Sequence, residues 1–302
     1  MSQQQSTLPR RELLKQLAAG AVGVSVLGAT GFLSTASAST KTSARLKGKI
    51  RHSVSRWTYG DLSIDELCLL VKSLGFNAID LVGPDDWPVL KKHGIDSSMC
   101  NGAELNLTDG FGGAEFHEAL IPRYLKHIDL VADAGYRNLI CFSGNRRGMD
   151  DETALSNAVK GLKQLVPKAE QRGVVLQMEL FNSKVDHPDY LADSSAWGIE
   201  LCQRLGSPNF KLLYDIYHMQ IMEGDIISTI KQHHQYFGHY HTAGVPGRHE
   251  IDDSQELNYA AIARAIRDLP FNGYLAQEFI PTADSKAGRA AALAQAIQIC
   301  DV

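Results

Sequence analysis

The 302-residue chain has five cysteines and no CxxC pair, and an odd number cannot pair completely. Cys68, Cys100, Cys141, Cys202 and Cys300 all fall in segments of strand or helix pattern, so they read as buried thiols in a domain that folds before export, with disulfides as the alternative. No GxGxxG follows the first strand-like run, so the usual fingerprint of a dinucleotide-binding open sheet is missing. Cationic charge is also in short supply. Thirty Lys and Arg face 34 Asp and Glu, and a mildly acidic chain carries no electrostatic footprint for nucleic acid. No low-complexity block or long linker interrupts the sequence after Ile50, which argues for one folded domain. Long hydrophobic runs are lacking too: the apolar stretch from Ala18 to Leu33 is rich in Gly and Ala and shorter than the ~20 residues of a spanning helix.

That stretch belongs to a pattern of another kind. Pro9-Arg10-Arg11-Glu12-Leu13-Leu14-Lys15 precedes it and Ala36-Ser37-Ala38 follows, the order of a twin-arginine export signal with a small-residue cleavage site. On this reading residues 1–38 are a signal peptide, 39–48 a short mature segment and 49–302 the folded domain. The protein is then expected to engage the twin-arginine export machinery and to reach the periplasm or another exported location. An uncleaved N-terminal anchor is the alternative. Removing residues 1–38 takes away three cations and one anion, so the formal charge moves from −4 to −6.

From Ile50 onward, short apolar runs alternate with longer amphipathic segments of helical period. Strands are expected near 50–57, 77–83, 97–103, 138–144, 174–182, 210–218, 237–244 and 273–280. Helices are expected near 63–74, 85–93, 115–134, 152–171, 195–204, 225–235, 258–269 and 284–300. Gly75, Gly94, Gly135, Gly173 and Gly206 stand where left-handed C-terminal caps would end helices. Eight consecutive βα units in about 264 residues predict a single (β/α)8 TIM barrel, with a doubly wound sheet as runner-up.

Four polar residues sit near the ends of the last four apolar runs: Glu179 in VVLQMELFN, Asp215 in FKLLYDIYH, His241 in FGHYHTAG and Glu278 in YLAQEFI. Burying an unpaired carboxylate is costly, so four such strands converging their polar residues on one divalent metal predict an active site. Barrel chemistry gathers at the carboxyl ends of the strands, where these residues lie. Three carboxylates and one imidazole suit Mn²⁺ or Mg²⁺, with Co²⁺ or Zn²⁺ as alternatives, and the lack of thiolates argues against a structural zinc.

The segments YDIYHMQIMEGD from Tyr214, GHYHTAGVPGRHE from Gly238 and ELNY from Glu256 resemble the hydroxypyruvate isomerase family of the xylose isomerase-like barrels. The resemblance covers most of residues 50–300 and is most specific over 174–280. It implies one divalent metal held by Glu179, Asp215, His241 and Glu278, with Glu179 and Glu278 also acting as the acid/base pair. The implied reaction is isomerisation or epimerisation of a small α-hydroxycarbonyl compound through an enediolate. The implied partner is therefore a small carbohydrate or hydroxy-keto substrate. His218 and Arg248 match positions that contact substrate oxygens in the family. One departure stands out: hydroxypyruvate isomerases typically carry Gln where this chain has His241, whereas ketose 3-epimerases carry His.

Other residues are open to two readings each. Trp57 can stack on a sugar face or pack in the core, and His249 with Glu250 can orient Arg248 or form a solvated loop. Asn182 is a candidate to fix Glu179, and Asn101 to touch substrate. Asn145-Arg146-Arg147-Gly148 can recognise an acidic substrate or remain a solvated loop, and His233 and His234 most simply face the carbonyl end of their helix. Rival functions are a lyase or dehydratase using the same site, an endonuclease IV-like phosphodiesterase and a non-catalytic sugar-binding protein. The oligomeric state is open, a homo-oligomer included.

Overall fold

The computed structural model describes residues 45–302; the expected signal peptide and the segment through residue 44 lie outside the described residues. Eight short parallel strands follow one another along the chain: β1 (His52–Val54), β2 (Ala78–Ile79), β3 (Asp96–Ser97), β4 (Asn138–Cys141), β5 (Val175–Glu179), β6 (Phe210–Asp215), β7 (Phe237–Thr242) and β8 (Leu275–Gln277). Six of them form one sheet in the order β1-β8-β7-β6-β5-β4, and β2 pairs with β3. Parallel bridges from Ser55 to Asp80 and from Cys100 to Leu139 join that pair to the two edges and complete the circuit. The TIM-barrel expectation therefore holds, with its first three strands much shorter than their apolar runs. After β2 the backbone turns left-handed at Leu81 (φ 55°), which interrupts the strand before the parallel pairing resumes at Val82 opposite Cys100.

Ten α-helices follow the strands among the described residues: α1 (Ile64–Ser73), α2 (Trp87–His93), α3 (His117–Asp133), α4 (Asp151–Leu162), α5 (Val166–Arg172), α6 (Ser195–Leu205), α7 (Ile216–Met222), α8 (Ile226–His233), α9 (Tyr259–Arg267) and α10 (Lys286–Cys300). Helix α1 opens on a reciprocal cap, in which the Ser63 hydroxyl accepts from the Glu66 backbone N–H and the Glu66 carboxylate accepts from that of Ser63. All five expected capping glycines have φ between 65° and 88°. The segment expected as one helix over 152–171 is two, because Pro167 stands in the first turn of α5, where its missing N–H costs nothing, whereas deeper in a continuous helix it would remove a hydrogen bond. The run expected as strand through 218 ends at Asp215. There the carboxylate accepts from the backbone N–H groups of Tyr217 (2.8 Å) and His218 (3.3 Å) and starts α7, a helix the apolar pattern concealed.

Strand alternation separates two environments. Leu212 faces the helical layer, since a Cβ placed on Gly198 of α6 would come within 2.8 Å of its Cδ1. Leu213 and Asp215, on the other face of β6, point into the barrel. The lumen is unusually polar for a barrel interior. Ser53, Asp80, Ser98, His239 and His241 form one buried hydrogen-bonded chain across it. All five cysteines are buried and unpaired, as expected. Among the described residues no helix is long and apolar enough to cross a membrane.

Candidate functional site

The strand ends bring Glu179 (β5), Asp215 (β6), His241 (β7) and Glu278 (just after β8) together, with ligand atoms within 4.8 Å of one another and every residue buried. His241 Nδ1 lies 3.0 Å from Glu179 Oε1, 2.8 Å from Glu278 Oε2 and 4.0 Å from Asp215 Oδ2. On the other side of the ring, Nε2 donates to Asp80 Oδ2 at 2.7 Å. That bond leaves the lone pair of a neutral ring on Nδ1, aimed at the three carboxylates. Glu179 Oε1, Asp215 Oδ2 and His241 Nδ1 are all buried without a hydrogen-bond partner among the described residues.

Acceptors facing acceptors at buried positions need a positive charge among them. Without a metal the charge is a proton. Burial opposes it, but Glu278, Asp80 and Glu179 together hold the His241 imidazolium well above its usual range. Burial pushes the Glu179 carboxyl up to about 8 and the Asp215 carboxyl up to about 7. Glu278 goes the other way: burial would raise it, but His241 and Arg248 outweigh that and keep it ionised. One divalent ion would displace those protons and set its two positive charges at the single point where the donors converge, and hard oxygen donors with one imidazole nitrogen fit Mn²⁺ or Mg²⁺. The residues present therefore fit one such ion.

Around this cluster the structure sorts the remaining sequence candidates. Arg248 reaches Glu278 Oε2 at 2.6 Å and Asp215 Oδ2 at 3.6 Å, with its guanidinium between the rings of Trp57 (5.3 Å) and Tyr217 (5.4 Å). Its backbone is left-handed at φ 61°, a strained conformation for a non-glycine residue. Trp57 is 46% exposed and its Nε1 donates to Glu278 Oε1 at 2.8 Å, so it belongs to the site wall, not the core. Asn101 lines the same cavity.

His218 is fully buried on α7 and is not among the residues lining the cavity. Its Nδ1 accepts from Asn182 at 2.7 Å and its Nε2 faces Asp215 Oδ2 at 3.6 Å. Asn182 thus holds His218 and Asp186, not Glu179. His249 is exposed and donates from Nδ1 to the Ile280 carbonyl at 3.0 Å, away from the cavity lining. Arg146 and Arg147 are paired with Asp151 and Asp109.

Asp80 is the residue that reading the sequence missed. It is fully buried just past β2 and accepts from His241 and from His239 Nε2 (3.2 Å), while its other oxygen accepts from Ser98 (2.9 Å). Burial alone would raise its pKa, but the two imidazoles reverse that and hold it far below the carboxylate range. The signal was available: NAIDLV carries a carboxylate at the end of an apolar run, as FKLLYDIYH does.

A parallel eight-stranded barrel with a buried carboxylate–imidazole cluster at the carboxyl ends of its strands is the architecture of a TIM-barrel protein with a candidate metal site. The chain belongs to the xylose isomerase-like TIM barrel family, whose model matches residues 68–299. It is 28% identical over 225 residues to the hydroxypyruvate isomerase of Escherichia coli, a match covering 71% of this chain and 86% of that one. A 2-oxo-tetronate isomerase of Cupriavidus necator is 36% identical over 120 residues, 40% of this chain and 45% of the relative. In that match, as in several others, the chain spans about half the length of the curated relative. Among solved structures, D-psicose 3-epimerase of Clostridium cellulolyticum H10 superposes with a TM-score of 0.69 at 17% identity, covering 84% of this chain and all of that one. An AP endonuclease, family 2, of Brucella melitensis gives the same TM-score at 22% identity, covering 80% and 97%. At such identities the likeness shows the fold alone.

Proposed function

We propose that this protein is a divalent-metal-dependent isomerase or epimerase of a small α-hydroxycarbonyl compound, working by proton transfer at the carbon next to the carbonyl. The observation that carries the reading is the set of orphaned acceptors on Glu179, Asp215 and His241, which converge with Glu278 on one point at the strand ends. Glu179, Asp215, His241 and Glu278 would hold the ion. When bound, it would polarise a carbonyl and offset the negative charge that develops on oxygen as the neighbouring carbon loses its proton.

The chain's own groups have separable tasks. Glu179 and Glu278 are the proton carriers, approaching the reacting carbon from the ends of two different strands. Glu278 is held by Trp57 Nε1 on one oxygen and Arg248 on the other, which keeps it ionised and fixed in place. Arg248 adds a fixed positive charge where oxygen becomes negative. The relatives named as hydroxypyruvate and 2-oxo-tetronate isomerases support this class of reaction.

The test is solvent deuterium exchange into ketoses and keto acids with Mn²⁺-loaded protein, before and after chelation. Exchange is expected at the carbon beside the carbonyl, to stop on chelation, and to drop by at least about a hundredfold in Glu179→Gln and Glu278→Gln. Wild-type exchange in both variants would overturn the assignment of the proton carriers, and loss of substrate mass without exchange product would point to a lyase. For residues 1–38 we propose twin-arginine export, and Arg10→Lys with Arg11→Lys is expected to leave the protein in the cytoplasm on cell fractionation.

A further inference from the structure

Resting on that reading, we infer that the substrate is an uncharged keto-sugar of hexose size or larger with an apolar face, and not a carboxylated three- or four-carbon keto acid. The cavity over the cluster measures about 560 Å³. Its apolar wall comprises Leu81, Leu105, Leu107, Ile140, Phe142 and Phe181. A three-carbon keto acid would leave most of that space and nearly all of that wall uncovered, so the apolar surface would contribute little to binding. A sugar ring or an apolar substituent reaching the wall makes use of it, and Trp57, half-exposed with Arg248 over its ring, adds aromatic surface to the lining.

Charge gives an independent reason. Glu104, Glu179 and Glu278 line the cavity, and among the described residues Arg248 is the one Lys or Arg that does so. Arg248 is already matched to Glu278 and Asp215, and its buried Nε, which has no partner, remains as a donor for a neutral oxygen. A divalent ion and Arg248 together balance Glu179, Asp215 and Glu278, so Glu104 leaves the pocket with surplus negative charge. A substrate carboxylate would add more in a partly desolvated site, where like charges repel strongly. His187 stacks on Phe181 at 4.1 Å between ring centroids and is kept neutral by burial and by Arg248, so it offers a hydrogen bond and no charge. Arg146 and Arg147 are held by their own aspartates and do not line the cavity.

The experiment uses the full chain loaded with Mn²⁺ and two panels. One holds hexuloses and keto-hexosides with alkyl or aryl substituents; the other holds hydroxypyruvate and a carboxylated four-carbon 2-keto acid. Binding is read from the rise in Tm with ligand concentration, and turnover from deuterium exchange. Neutral ligands are expected to bind at least about tenfold more tightly, and Glu104→Gln to narrow that gap several-fold. Equal or tighter binding of the keto acids overturns the inference, and if they also exchange deuterium the isomerase reading stands without it. Tighter binding of neutral ligands with no exchange in either panel upholds the substrate class and sinks the isomerase reading instead. An unchanged gap in a folded Glu104→Gln protein overturns the charge argument.

Discussion

His241 shows how much one side chain depends on its neighbours. Its Nδ1 serves the cluster because Asp80 holds the opposite nitrogen, and such outer partners fix the orientation and basicity of ligating histidines. Asp80→Asn removes the negative charge that two imidazoles share, and metal affinity is expected to fall by about 10- to 100-fold. Titration calorimetry with Mn²⁺ measures it, alongside the Tm of the metal-free variant to separate ligand tuning from folding. Undiminished affinity would reduce Asp80 to a packing residue. Arg248 gives the second residue-scale expectation. Lysine keeps the charge but loses the planar fork that sits between Trp57 and Tyr217 while reaching Glu278. Arg248→Lys is expected to retain metal and fold yet lose at least about tenfold in kcat/KM, about 1.4 kcal/mol of transition-state stabilisation. An unchanged kcat/KM on the true substrate would make Arg248 a loop residue only.

At the scale of elements, the loops after the first five strands and after β7 shape the cavity while the ends of the last four strands carry the cluster. The segment that supplies Leu105 and Leu107 continues to Gly112, where it is zipped onto the end of β4: Phe111 N–H donates to Phe142 O (3.0 Å), Gly112 N–H to Ser143 O (2.8 Å) and Asn145 N–H back to Thr108 O (2.9 Å). A Cβ on Gly110 would collide with the backbone of Phe142, Ser143 and Gly144, none of which can step aside without breaking that zipper. Gly110→Ala is therefore expected to cost about 1 to 3 kcal/mol and to raise KM more than it lowers kcat, because it moves the apolar wall and not the cluster. Denaturant titration and steady-state kinetics check the two parts. An unfolding free energy and KM equal to those of the parent would mean that the loop relaxes freely.

For the whole molecule the cluster links metal, protons and stability. In the metal-free protein Glu179 and Asp215 carry raised pKa values and His241 is protonated, so at pH 6 all three hold protons that a cation must displace. The two raised carboxyls contribute stability that is full below their unfolded values near 4 and is lost as pH rises through about 7 and 8. The imidazolium acts in the same direction, its contribution lost as pH rises through its raised value. Cation binding becomes stronger over the same interval because fewer protons compete. The rise in Tm produced by saturating Mn²⁺ is therefore expected to be larger at pH 8 than at pH 6, measured by calorimetry with and without the ion. A rise of equal size at both would contradict the proton-for-metal exchange.

The barrel and the four cluster residues were legible in the sequence because both rest on local regularities. Apolar runs alternate with helical periods, glycines close several helices, and a carboxylate or imidazole stands near the end of each of the last four apolar runs. Strand and helix ends were less legible, since at Asp215 the apolar run continues into α7 and only the side-chain cap marks the change. Asp80 showed the same local signal, yet its partners lie 159 and 161 residues away, and no spacing along the chain announces that β2 meets β7 across the lumen. His218 and His249 are near the cluster in sequence, but one is sealed behind Asp215 and the other turned to Ile280, because helix rotation and loop path decide where a side chain points. The residue types that make a metal site were thus set along the chain, whereas the lumen's hydrogen-bonded chain and the charge balance of the cavity arise only where closure of the barrel brings distant strands within reach.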